Sequence, residues 1–374
     1  MRAAVLGSGL MGSTIAWDLG RSREVDEVVV ADLDPERLKS AKRRGGRKVA
    51  TEVVDVADGE KLRRFSKGFD VVASALPHGI VHPADVALVK SGAKVVNIAF
   101  EDEQMQLDVA AKKTGALLIP GCGLAPGLGG ILLARGAERV GGADRGRILV
   151  GGLPQRPVEP FQYRLVFSVI GLLREFTDPA RIIRNGRLTR VDPVSRTVRV
   201  DFPKPVGRCE AFYSDGLATL LYSMKGFKTL EELTVRFPGH VKKIKLLLDS
   251  GVLSKEPISV GGRDVRPFDV SAPALARKMS EGPPEDVTVM RVEVSGPSGR
   301  ITFEMMDFYD QANGVTSMGK TTGYTCSIVS QMVGSGSVRG KGVVPPEVAL
   351  KGKQSDLLVS ELRRKGVRIT ENRG

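Results

Sequence analysis

A chain of 374 residues, 41% of them hydrophobic and 26% charged, is long enough for two domains with full-sized cores. No apolar stretch reaches the roughly 20 residues of a membrane span and no charged-then-apolar leader opens the sequence, so a cytoplasmic protein with no membrane partner is expected. The net charge of +13, from 56 Lys and Arg against 43 Asp and Glu, sits in scattered runs such as AKRRGGRKVA and ELRRKGVRI, without the aromatic interleaving or zinc-finger spacing of a nucleic-acid binder, so no nucleic-acid partner is expected.

The first third alternates strand and helix signals. AAVLGSG reads as a buried strand, MGSTIAWDLG as a helix with glycine past its end, EVVVADL as a second strand, and DPERLKSAKRR as a helix capped by Asp34 with Pro35 in its first turn. ATEVVDVAD, FDVVASALP, AKVVNIAF and GALLIPGCG continue the strand series. Repeated βα units imply right-handed crossovers and a doubly wound parallel sheet, giving an α/β nucleotide-binding domain over residues 1–124.

APGLGGILLARGAERV reads as one helix, after which the texture turns β-rich. FQYRLVFSV, ARIIRNGRLTRVD with its Asn185-Gly186 turn, RTVRVDFP, ELTVRFPGH and VTVMRVEVSGPSGRITFEMMDFYD predict antiparallel strands. A second α+β domain with a mixed or antiparallel sheet is therefore expected over 125–315. Helical patterns in SMGKTTGYTCSIVSQMVGSG and PPEVALKGKQSDLLVSELRRKGVRI predict that 316–374 return to the first domain.

Gly7, Gly9 and Gly12 form a G-x-G-x-x-G fingerprint between strand and helix. Gly7 permits the tight turn, Gly9 the approach of a pyrophosphate and Gly12 close helix packing, while the helix N-terminus supplies N–H groups and positive dipole. Asp32 falls twenty residues beyond Gly12 at the end of the second strand, where a carboxylate accepts both ribose hydroxyls and repels a 2′-phosphate; NAD is the expected cofactor. Asp55, near the third strand end, suits either an adenine contact or a solvated turn.

Ligands bind outside the carboxyl ends of such strands, where SALPH, NIAFEDE and IPGCGLAPG stand. Leu10 and Met11 on the fingerprint loop, and Ala75, Leu76, Pro77, Ala99 and Phe100, complete the expected cofactor contacts. Phe100, Cys122 and Gly123 are placed at the nicotinamide and substrate, as an apolar wall that excludes water. Cys122, Cys209 and Cys326 make no CxxC pair, and His78 and His82 lack a third ligand, so neither a disulfide framework nor a metal site is expected.

Taken in order, APGLGGIL, LLREFTDPARIIRNGR, EAFYSDGLATLL, RFPGHVKKIK, SMGKTTGYTCSIV and GVVPPE resemble the saccharopine dehydrogenase-like family nearly end to end. The similarity is greatest to its lysine 6-dehydrogenase branch, including archaeal homologues. The resemblance implies a second domain carrying substrate contacts and a homodimer interface. It also implies oxidative deamination of lysine at its ε-amine to a semialdehyde that cyclises to piperideine-6-carboxylate. The alternatives within the family are saccharopine-forming reductases, which use NADPH, and dehydrogenases of related amines.

Oxidising an amine carbon requires a group that takes the ammonium proton, and attack of water on the resulting imine again requires an acid–base residue. His240 in FPGH is one of three histidines and suits either that role, titrating near neutrality, or a helix cap. Glu103, with Asp102, follows the fifth strand and suits either an amine contact or a helix start. Asp215 in YSDGL is an N-cap or an amine ligand. Arg181 and Lys320 are candidates to hold a substrate carboxylate, Lys320 at a position where the family pattern often carries Arg.

Overall fold

The computed structural model describes residues 1–165 and 169–374. The amino-terminal half runs β1 (Arg2–Leu6), α1 (Leu10–Arg21), β2 (Glu27–Asp32), α2 (Pro35–Gly45), β3 (Val49–Val53), α3 (Gly59–Ser66), β4 (Val71–Ser74), α4 (Val81–Lys90), β5 (Lys94–Asn97), α5 (Asp108–Thr114) and β6 (Leu117–Ile119). Its strands are short, almost wholly apolar and buried, as a parallel sheet covered on both faces demands. They pair in the order β3-β2-β1-β4-β5-β6, so the order reverses between β1 and β4 and opens a crevice at their carboxyl ends.

The second unit follows with α6 (Leu128–Arg139), β7 (Arg145–Pro154), α7 (Val169–Thr177), β8 (Ala180–Arg184), β9 (Arg187–Val191), β10 (Thr197–Asp201) and β11 (Arg208–Tyr213). It continues through α8 (Leu220–Ser223), β12 (Thr229–Arg236), α9 (His240–Asp249), the small hairpin β13 (Ile258–Val260) and β14 (Arg263–Val265), α10 (Pro267–Met279), β15 (Asp286–Gly296) and β16 (Gly299–Phe308). The mixed sheet is antiparallel except for β12 beside β7. The Asn185-Gly186 turn joins β8 to β9 with both residues at positive φ, 51° and 72°, as a two-residue hairpin requires.

The last segment divides between the sheets. Both α11 (Ser317–Gly334) and β17 (Gly342–Val343) join the first unit, β17 extending its sheet beside β6. After α12 (Pro346–Ala349) and α13 (Lys353–Arg364), β18 (Ile369–Arg373) pairs with β16 in the second sheet. A single core then spans both units, uniting Val5 and Ile15 with Ile148, Val292, Phe303, Ile328 and Leu358. Gly319 and Gly323 let α11 approach α1 closely: a Cβ on Gly323 would lie 3.0 Å from Cγ2 of Thr14.

Several expectations are corrected. Gly20 lies inside α1 rather than beyond it, because its bare Cα packs under the Gly45 carbonyl, 2.9 Å from where a Cβ would stand. The helix expected from Ala125 begins at Leu128. The strand expected over Phe161–Val169 falls partly on residues 166–168, outside the described residues; 161–165 form no strand and Val169 opens α7. Strand β7 escapes sequence reading because Gly151 and Gly152 look like breakers, yet a Cβ on Gly151 would come within 2.4 Å of the Val235 carbonyl of the neighbouring strand.

Candidate active site

The Gly7–Gly12 turn has the geometry of a dinucleotide cradle. Gly7 sits at φ +88° with the Ala75 carbonyl 2.9 Å from any added Cβ, and a Cβ on Gly12 would strike the Gly7 carbonyl at 1.9 Å. Gly9 has no heavy atom within 4 Å of its Cβ position, so the backbone at the start of α1 is open to a ligand. Among the described residues Gly9 offers no side-chain cap, which leaves the first N–H groups of α1 for a phosphate.

Asp32, at the end of β2, lies beside this turn. Its Oδ2 accepts the Ser8 N–H at 2.6 Å and the Ser8 hydroxyl at 2.7 Å, while Oδ1 accepts the Asp34 N–H at 2.9 Å. Partial burial pushes its pKa upward, but these hydrogen bonds and the Arg37 charge outweigh it and hold the carboxyl below its usual value. Arg37 is itself paired with Asp34 at 3.2 Å. Leu10 and Met11 open α1 on the same turn. Asp55 lies two residues past β3 and accepts the Ala57 N–H in a local turn. Ala75 and Pro77 follow β4, whereas Leu76 turns into the core on the far side of the sheet.

Past β5, Ala99 donates its N–H to the Asn97 side chain and its carbonyl accepts from Gly121. Phe100 meets Tyr222 edge-on at 6.2 Å, joining the two units at this point. Gly123 packs against Thr322 and Ile98. Cys122 is enclosed at 0% exposure in the shared core and burial raises its pKa well above the ordinary thiol value, so it offers a substrate no surface and is removed from the expected substrate contacts.

Charged residues meet at the same junction. Arg181 donates from Nη1 to both oxygens of Asp102, at 2.9 and 2.7 Å, and from Nε to both oxygens of Asp215, at 2.9 and 3.0 Å. The Tyr222 hydroxyl donates to Asp102 at 2.7 Å. Burial opposes the Arg181 charge, but its bonds to Asp215 and Asp102 prevail and raise its pKa. A cavity of about 570 Å³ borders this cluster, lined in part by Asp102, Met105, Gln106 and Tyr222.

This geometry revises three expected roles. Arg181 already carries two carboxylates, so the junction is acidic rather than a bare cation awaiting a substrate carboxylate. Asp215 lies apart from the cap of α8, which is Thr219, and serves Arg181 instead. Glu103 is exposed on the outside of the 3₁₀ turn Asp102–Leu107, and Asp102 faces the junction in its place.

Lys320 and His240 change more. The Lys320 ammonium is buried 2.9 Å from Asp307, which also accepts the Ser317 hydroxyl at 2.6 Å, so its charge is matched internally. His240 is 0% exposed among Tyr163 and Phe176, with Nδ1 2.8 Å from the Phe161 carbonyl. Burial, with Arg236 and Lys243 adding to it, lowers its pKa to about 3; the expectation of titration near neutrality is overturned.

Sequence reading missed Tyr222, Ser214, Glu175, Glu232 and Arg236. The alternation in TLEELTVR was the available signal: it sets Glu232, Thr234 and Arg236 on one face of β12, where Arg236 meets Glu175 of α7 at 2.5 Å.

Residues 3–119 match the family model described as Saccharopine dehydrogenase NADP binding domain, and residues 123–367 match Saccharopine dehydrogenase C-terminal domain. The chain belongs to the saccharopine dehydrogenase family. Its first unit is accordingly the family's nicotinamide-dinucleotide domain, in agreement with the Gly7–Gly12 cradle. Mitochondrial alpha-aminoadipic semialdehyde synthase of Rattus norvegicus is 22% identical over 92% of this chain but only 45% of its own length, so the chain spans less than half of that relative. The NADP(+), L-glutamate-forming saccharopine dehydrogenase of Schizosaccharomyces pombe is 23% identical over 85% of this chain and 87% of its own.

Among solved structures, apo saccharopine dehydrogenase (L-Glu forming) from Saccharomyces cerevisiae superposes with a TM-score of 0.79 at 19% identity, covering 100% of this chain and 99% of that one. The family fold is thus an α/β fold with a parallel Rossmann-like sheet and a second, mixed sheet, as the sequence pattern implied. Among the described residues no helix is long and apolar enough to cross a membrane.

Proposed function

We propose that the chain is an NAD-dependent dehydrogenase acting on the C–N bond of an aliphatic amino acid, with the ε-amine of lysine as the group oxidised and the semialdehyde, which cyclises to piperideine-6-carboxylate, as the product. The observation that carries this reading is the charge at the junction: Asp102 and Asp215 both bear on one Arg181, and buried Glu232 lies nearby. Such a site suits a substrate with two ammonium groups and one carboxylate. Saccharopine, with three carboxylates, would need more cations than the single Arg181 that these residues present.

Gly7, Gly9, Gly12 and the N–H groups opening α1 hold the pyrophosphate, and Asp32 takes the adenosine ribose. When bound, the nicotinamide supplies the hydride acceptor. Asp32 favours NAD because a carboxylate fixed by Ser8 and Asp34 repels a 2′-phosphate, and Arg37 is engaged by Asp34. Phe100 and Tyr222 close an apolar wall at the junction, and Asp102 and Asp215 orient the substrate ammonium.

A second reading, saccharopine formation with NADPH, has support from the name of the Schizosaccharomyces pombe relative. Purified protein assayed with lysine, ornithine and polyamines, each with NAD and with NADP, separates the two. Reduced nicotinamide formed from lysine and NAD supports the first reading. Consumption of NADPH only when glutamate and the semialdehyde are both present supports the second.

A further inference from the structure

Among the described residues Glu232 is a buried acid with no cation of its own. On β12 it shares one sheet face with Thr234 and Arg236, and the Ser214 N–H donates to the Glu232 carbonyl at 3.2 Å, which sets the Ser214 side chain beside it on that face. Glu232 is 4% exposed, and its carboxyl makes no hydrogen bond or ion pair among the described residues. The carboxyl rests against the bare Cα of Gly216, where a Cβ would lie 1.6 Å from Oε1.

The groups around it are already matched. Asp215, next to Gly216, is bound to Arg181 of β8. Glu175 of α7 is bound to Arg236, two residues along the same face. Burial, with Asp215 and Glu175 adding to it, pushes Glu232 up to about 8, so it carries a proton at neutral pH. Ser214 provides a second and independent sign: it is 5% exposed and its Oγ is buried with no partner among the described residues. Unpartnered buried polar groups are costly and rare, and two side by side call for a ligand with several donors. A primary ammonium has three N–H donors and one positive charge, which match a carboxylate and a hydroxyl oxygen.

We propose that Glu232 and Ser214 form a subsite for a primary ammonium group of the amino-acid substrate, whose binding turns the Glu232 carboxyl into a carboxylate and releases its proton to solvent. The subsite rests on the amine-dehydrogenase reading above. The charge balances: the ammonium enters as a cation, the carboxyl becomes an anion beside it, and one proton leaves to buffer.

The test is calorimetric titration of L-lysine into the full chain at pH 7, in phosphate and in Tris, whose different ionisation heats report protons released. Release of about one proton per lysine is expected for the wild type. Glu232→Gln should abolish that release and weaken lysine binding at least tenfold while circular dichroism stays unchanged. Lysine oxidised by the wild type without proton release, or bound equally well by Glu232→Gln, overturns the subsite and leaves the dehydrogenase reading standing. If the wild type neither binds nor oxidises lysine, the dehydrogenase reading falls and the subsite falls with it. Should Glu232→Gln fail to fold, Ser214→Ala decides: weaker lysine binding with proton release retained supports the subsite, and unchanged affinity contradicts it.

Discussion

Arg181 and Asp102 fasten the two units to each other: one guanidinium nitrogen of the second sheet's β8 lies 2.9 and 2.7 Å from the two carboxylate oxygens of a residue that follows β5 of the first. The same side chain holds Asp215 through Nε. Lysine is a point charge without the planar fork, and its three donors cannot reproduce the four bonds that the guanidinium makes to the two acids. Arg181→Lys should cost about 1–3 kcal/mol of unfolding free energy, the order expected when partly buried acceptors lose charged donors. Denaturant unfolding checks this, and an unchanged midpoint with an unchanged slope would show that the bridge holds nothing together.

The fingerprint glycines should separate folding from cofactor binding. Gly9→Ala meets open space and should leave the thermal midpoint within a degree or two while NAD affinity falls at least tenfold. In Gly12→Ala the new methyl is driven to 1.9 Å from the Gly7 carbonyl, so stability itself should drop by several kcal/mol. Thermal melts with and without NAD distinguish the two; equal losses of stability would sink the distinction.

Asp32→Ser should lower kcat/KM with NAD by about 10- to 100-fold and raise that with NADP, because a charge-assisted contact worth about 1.5–3 kcal/mol is lost together with its repulsion of a 2′-phosphate. Ratios measured for both cofactors on one preparation report this directly. A variant that keeps its NAD preference would move the ribose contact away from Asp32.

Much of this was readable in the sequence, and the failures share a cause. The βα rhythm, the fingerprint and the Asn185-Gly186 turn are local signals that need no distant partner. Lys320 and His240 looked available because their partners, Asp307 and Phe161, lie 13 and 79 residues away. Asp102 and Glu103 stand on one short turn, and only the fold shows which of them faces Arg181. Ser214 stands beside Asp215 in YSDGL and Tyr222 just past EAFYSDGLATLL, but their roles are set by β11, β12 and the loop between, whose pairing is a tertiary fact. Polar β18 reads as a tail and becomes a strand only because β16 offers it an edge.

Three buried groups should together make stability fall as pH rises from about 4.5 towards 8, because two of them lose stability over that range and only one gains it. Glu232, raised from 4.5 to about 8, and Asp85, raised from 3.8 to about 7 by burial despite its bonds to Gln104 and Asn97, keep protons in the folded state that the unfolded chain has lost. Their contributions are therefore present at low pH and vanish as pH rises through those values. His240, lowered from 6.5 to about 3, acts oppositely: the unfolded chain takes up its proton first, and stability falls as pH drops below about 6.5. Each group contributes a slope of up to about 1.4 kcal/mol per pH unit within its window. Glu232→Gln should flatten the decline between pH 5 and 8; an unaltered profile would mean that Glu232 ionises normally.

Amine oxidation with NAD is decided by a comparison on one purified sample. Initial rates of nicotinamide reduction are measured with L-lysine plus NAD and with saccharopine plus NADP, each over a range of substrate concentrations. A kcat/KM at least tenfold higher is expected for lysine with NAD, with a semialdehyde or its cyclic imine as product. A higher value for saccharopine with NADP, with glutamate released, would contradict it.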